Sequence, residues 1–83
     1  MKYVVYKYKD LKIPVLMPDC ATHAQVGMRG AKPISAGFVR FDAAGLAHVF
    51  DESASLKLKP AEGDNRLIDK MMMNMGTAAF LDI

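Results

Sequence analysis

The chain has 83 residues, with 11 Lys and Arg against 9 Asp and Glu and a formal charge of +2. Its 52% hydrophobic and 24% charged residues are a globular composition, and its length excludes two domains and the barrel or nucleotide-binding scaffolds that need about 200 residues or more. Cys20 is the single cysteine, which excludes a disulfide-stapled miniprotein and fits a reducing, cytoplasmic location.

Residues 2–8 (KYVVYKY) are dense in β-branched and aromatic side chains and predict a strand. Alternation puts Val4, Tyr6 and Tyr8 on one face and Tyr3, Val5 and Lys7 on the other. Residues 9–12 are polar enough to turn, and residues 13–17 read as a second strand, closing a hairpin from 2 to 17. Pro14 lacks an N–H and assigns that strand to a sheet edge. The same N-terminal stretch carries lysines at short intervals, which argues against a signal peptide. No apolar run approaches the roughly 18 residues of a membrane span.

Pro18-Asp19 ends the hairpin, and Thr22 is a candidate N-cap for a short helix near 22–28, closed by Gly27 or Gly30. Residues 34–42 and 46–51 flank Ala43-Ala44-Gly45 as a second hairpin. Residues 53–59 alternate and read as a short fifth strand or an extended connection. A helix follows, with Pro60 in its first turn, Glu62 and Asp64 at its positive end and Gly76 closing it. Leu67, Ile68, Met71, Met72 and Met75 form its apolar stripe, and Arg66, Asp69, Lys70 and Asn74 take the other side. Residues 77–83 are an apolar tail. The elements sum to one α+β domain over residues 1–83: an antiparallel sheet of four to five strands in two hairpins, with the C-terminal helix packed on one face.

Charge is polarised along the chain. Residues 1–40 carry seven cations against Asp10 and Asp19, a net +5, whereas residues 41–83 carry four cations against seven carboxylates, a net −3. Such polarity suits a basic surface for an acidic partner, or association between copies. It also disappears if the two halves interleave in one small sheet. The candidate basic surface comprises Lys7, Lys9, Lys12, His23, Arg29, Lys32 and Arg40. The alternating Tyr3, Tyr6, Lys7, Tyr8 and Lys9 resemble a stacking and cationic surface for nucleic acid, but +2 is low for that role, and a strand with half-buried tyrosines and lysines guarding a sheet edge is the better explanation.

Chemistry is sparse. Cys20 and His23 have a metal-ligand spacing, but the only further candidates are His48 and a carboxylate such as Asp19, short of a convincing zinc set. The same pair offers a nucleophile and base with no evident oxyanion hole. Residues 27–30 (GMRG) lack the Lys-Ser/Thr of a phosphate loop. No catalytic residue, metal or cofactor is therefore assigned, and an enzyme is not expected. Methionine is concentrated in Met71, Met72, Met73 and Met75. Met71, Met72 and Met75 should face the sheet and Met73 the outside; with Phe80, Leu81 and Ile83 they make an apolar patch suited to a second protomer.

The strings PVLMPDCATHAQV, PISAGFVRF and FDESASLKLKP resemble small uncharacterised proteins carried by phages and prophages. The resemblance is one of overall look, with no catalytic motif, and carries no site residues. It implies an accessory protein in the bacterial host cytoplasm that binds host machinery, immune effectors included, or sequesters a small signal molecule. Three expectations follow. The first is a homodimeric or larger binding protein that occupies an acidic surface of a host protein, as an inhibitor would. The second is a sponge holding an anionic nucleotide between protomers with Arg29, Lys32, Arg40 and His23, and the third is a nucleic-acid-binding module.

Overall fold

The structure, a computed structural model, describes residues 1–23, 27 and 29–81, with backbone only for 75–81. Four strands and a helix follow one another: β1 (Lys2–Tyr8), β2 (Leu11–Met17), β3 (Lys32–Phe41), β4 (Ala47–Phe50) and α1 (Asp64–Leu81). The sheet is antiparallel in the order β2-β1-β3-β4, so the two expected hairpins are joined through β1 and β3. The expected short helix near 22–28 lies largely outside the described residues.

Pro14 behaves as its chemistry requires. Val39 N donates to Met1 O (2.8 Å), so odd-numbered residues of β1 turn their backbone groups toward β3 and even-numbered ones toward β2. Pro14 lies opposite Val5 and therefore faces the open edge of β2, where a missing N–H costs nothing.

Alternation along β1 builds two cores. On one face Tyr3 and Val5 join Val39, Ala47 and Ile68, with Leu16, Ile34, Phe41, Val49 and Leu67 packed around them. On the other, Val4, Tyr6, Met17 and Ala36 are covered by Val15, Ala21, Ala31, Leu56 and Leu58. The helix thus covers one face as expected, and the second face is closed by the connections around 21 and 56–58. Residues 53–59 do not form a fifth strand. Ser53 and Leu58 exchange backbone hydrogen bonds (2.7 and 3.3 Å), and Ser53 Oγ accepts from Leu56 N (3.2 Å), which closes a tight loop. Its two leucines plug the second core instead of lining a strand.

Beyond that loop the chain returns to β3, where Ala36 N donates to Lys59 O (3.3 Å). Gly37 permits the crossing that follows. A Cβ there would meet Pro60 Cγ at 2.8 Å, Asp51 O at 2.9 Å and Phe50 O at 3.0 Å.

The helix departs from expectation at both ends. It begins at Asp64, not near Pro60, because residues 61–64 are first tied into a turn. Asp64 N donates to Ala61 O (3.2 Å), Asp64 Oδ2 accepts from Ala61 N (2.9 Å), and Gly63 has φ 92°. Nor does Gly76 end it: the helix runs on to Leu81 and takes in 77–81 of the expected tail. Glycine in a helix interior costs only about 1 kcal/mol, and Thr-Ala-Ala-Phe-Leu beyond it is compatible with a helix. Two carboxylates fasten α1 to the sheet. Tyr3 Oη donates to Asp64 Oδ2 (2.8 Å), and Ala47 N donates to Asp69 Oδ1 (2.7 Å). Asp69, expected on the solvent side, thus satisfies the backbone at the start of the edge strand β4.

Candidate basic binding surface

The β1–β2 hairpin turns at Lys9-Asp10, with Lys9 in the left-handed region (φ 54°). This short turn fixes the register of β2 against β1. Lys7 is the partner of Lys12 on β2 and of Lys32 on β3. Register partners project from the same face, so three lysines form one row across three neighbouring strands, spaced roughly 5 Å apart at the backbone. All three are exposed.

The loop before β3 adds to this end of the sheet. Gly30 (φ 81°) lies against the Tyr8 ring, where a Cβ would sit 3.4 Å from Cε2; Tyr8 projects from the face opposite Lys7, so the exposed Arg29 comes to the same end of the sheet from its other side. Lys9 Nζ lies 5.5 Å from the centroid of the Tyr8 ring, a cation–π distance. Tyr8 and Leu11 remain exposed, at 39% and 62%. Asp10 is the acidic residue of the turn itself. Five residues of the expected surface, Lys7, Lys9, Lys12, Arg29 and Lys32, therefore gather at one end of the sheet.

The other two do not. Arg40 lies eight residues along β3 from Lys32, roughly 25 Å away, opposite His48. His23 is buried (4% exposed) on the second core face, donates from Nε2 to Gly37 O (2.8 Å) and meets Phe38 edge-on at 5.5 Å. Its hydrogen bond ties the loop after β2 to β3, a positioning role with no exposed ring nitrogen required. The four residues expected to hold a nucleotide, Arg29, Lys32, Arg40 and His23, are thus not brought together within one chain.

The charge pattern elsewhere is local. His48 Nε2 and Asp42 Oδ2 are 2.8 Å apart at the β3–β4 turn, where Asp42 Oδ1 also accepts from Ala44 N (2.9 Å) and Leu46 N (3.0 Å). The hydrogen bond from His48, and then those from the Leu46 and Ala44 amides, hold the Asp42 carboxyl below the usual carboxylate range. Cys20 is exposed, and among the described residues no three His, Cys, Asp or Glu side chains converge as metal ligands. Nor is any helix among them long and apolar enough to cross a membrane.

Two cationic residues escaped the sequence reading. Lys57 and Lys59 line an open cleft of about 420 Å³ with Ile34, Glu52, Leu58, Pro60 and Ala61. Nothing in their spacing signals this, because the cleft depends on the 53–58 loop folding back beside β3. Of the expected apolar patch, Met71 is half-buried, Met73 is exposed (72%) as expected, and Met72 is exposed (41%) where the stripe placed it against the sheet. The side chains of Met75, Phe80 and Leu81 lie outside those described. Comparison with family models, curated proteins and solved structures finds no match to this chain.

Proposed function

We propose that the chain is a small non-enzymatic binding protein that presents the lysine end of its sheet to an acidic surface of another protein. The observation that carries this reading is the row Lys12-Lys7-Lys32, with Lys9 and Arg29 at the same end of the sheet. Like charges placed directly opposite one another in a sheet work against folding, and a polyanionic partner relieves that repulsion. In the phage and prophage setting suggested by the resemblance, the partner is a host protein of the cytoplasm and the effect is inhibition by occupancy. The reading extends to self-association, with the exposed Met72 and Met73 of α1 as the contact between protomers.

Binding is tested with a glutamate-rich peptide as the acidic probe and with a single-stranded oligonucleotide in parallel, at low and at near-physiological salt. The peptide should bind at low salt, and Lys7→Gln with Lys12→Gln and Lys32→Gln should weaken it by about tenfold or more. Undiminished binding by the triple variant, or none by the parent protein, overturns the reading. Light scattering on the eluting protein tests the second part, since a monomer at tens of micromolar removes it. The exposed Tyr8 at the same end of the sheet favours one alternative, nucleic acid. Tight oligonucleotide binding that falls steeply with salt, with no peptide binding, would select it.

A further inference from the structure

Two further lysines lie near the β3 end of the row, at an unpaired stretch of that strand. β4 pairs only with Phe38–Phe41, so the first half of β3 has no strand on that side, and the return of the chain through Lys59 leaves the cleft beside it. Ile34 is the extra residue at the β1–β3 register shift, where Val5 pairs with Ser35 and Tyr6 with Pro33. It packs against the same core as Tyr3 and Val5, hence on the face from which Lys7 and Lys32 project. Lys32 is two residues away along the strand. The cleft is therefore an aliphatic recess at the open edge of β3, starting two residues along the strand from Lys32 and lined by Ile34, Leu58 and Pro60 together with Lys57 and Lys59. Glu52 is the one carboxylate among its lining residues.

We propose that the partner enters here as a short acidic segment carrying an aliphatic side chain, the aliphatic group seated in the cleft and the flanking carboxylates on Lys32, Lys57 and Lys59. This rests on the basic-surface reading and names the chemistry of what that surface holds. Two features select a peptide over a nucleic acid. No aromatic ring lines the cleft, so a base has nothing to stack on there. An aliphatic recess, on the other hand, gains free energy only from an apolar group removed from water. The cations supply the second half of the recognition, since a hydrophobic segment without carboxylates leaves the lysines uncompensated.

The test compares two probes, the peptides EEEEE and EELEE, against the parent protein, against Ala61→Phe and against Lys57→Gln with Lys59→Gln. Ala61 is exposed at the cleft mouth, so a phenyl ring there fills the recess without removing a core contact, and a thermal melt confirms that the variant folds. EELEE should bind the parent about tenfold tighter than EEEEE, the worth of one seated leucine. Ala61→Phe should erase that advantage while leaving EEEEE binding unchanged, and the double lysine variant should weaken EELEE more than EEEEE. Equal binding of the two peptides, or an advantage that survives Ala61→Phe, overturns the cleft assignment but leaves the basic-surface reading standing. Failure of both peptides to bind overturns both, as does preference for an oligo-dT probe.

Discussion

At the scale of single residues, the most informative groups are polar ones in apolar surroundings. Ser35 sits on β3 within the first core, 1% exposed, and its Oγ is the buried side-chain oxygen without a hydrogen-bond partner among the described residues. An unmade hydrogen bond in a core costs about 1–3 kcal/mol. Ser35→Ala removes the hydroxyl and should stabilise the fold by about 1 kcal/mol, raising Tm by about 4–8 °C in a domain of this size. An unchanged or lower Tm would show the hydroxyl to be satisfied. Asp42 makes the opposite case, a carboxylate that is amply partnered at the surface. Its folded-state pKa lies below its unfolded value, so its contribution is present above the ordinary carboxylate range and is lost as pH falls through the lowered folded value. Asn at this position keeps an oxygen for the Ala44 and Leu46 amides but loses the charge and the acceptor facing His48. Urea midpoints measured from pH 6 down to pH 2 should therefore fall less steeply for Asp42→Asn than for the parent. Parallel slopes would contradict the assignment.

At the scale of elements, the joint between helix and sheet carries more than its apolar stripe. Tyr3 is fully buried, and burial first, then its hydrogen bond to Asp64 and the charge of that carboxylate, push its phenol above the usual tyrosine range. A raised folded-state pKa means that the contribution is whole below about pH 10, the unfolded tyrosine value, and lost as pH rises beyond it. Tyr3→Phe leaves Asp64 buried with the Ala61 amide and should cost about 2 kcal/mol at neutral pH. The parent should converge on the variant above pH 10, and a constant gap between their denaturation midpoints from pH 7 to 11 would refute this. None of this joint is written in the sequence: Tyr3 and Asp64 are 61 residues apart, and Asp69 reads as solvent-facing until β4 arrives beneath it. What periodicity does reveal is what it physically encodes. Both hairpins, the edge position of Pro14 and the buried Ile68 follow from alternation, turn chemistry and helical spacing. The failures occur where local rules were overruled by context, at Gly63 starting the helix late, Gly76 failing to stop it and the 53–58 loop folding into a core.

At the scale of the whole molecule, part of the cationic half of the chain becomes a cluster in space. Five of the seven candidates lie at one end of the sheet because the β1–β2 hairpin register and the register shift between β1 and β3, which no single segment encodes, align Lys12, Lys7 and Lys32. Arg40 and His23 share their sequence neighbourhood yet are drawn away by strand length and by burial. A row of like charges is a cost to folding, which the acidic partner proposed above would relieve. Lys7 has a lysine opposite it on both sides, so Lys7→Gln removes two repulsive pairs at once. It should raise stability by about 0.4–2 kcal/mol at low ionic strength, from two pairs worth about 0.2–1 kcal/mol each. The gain should vanish near 1 M salt, where the screening length falls to about 3 Å. The same substitution should weaken the acidic peptide. Stability and affinity then move in opposite directions on one residue, as expected where a surface is shaped for a partner at the expense of the fold. A Lys7→Gln protein no more stable than the parent in low salt would mean that the three ammonium groups are held apart in solvent, and the row would lose its claim to act as one site.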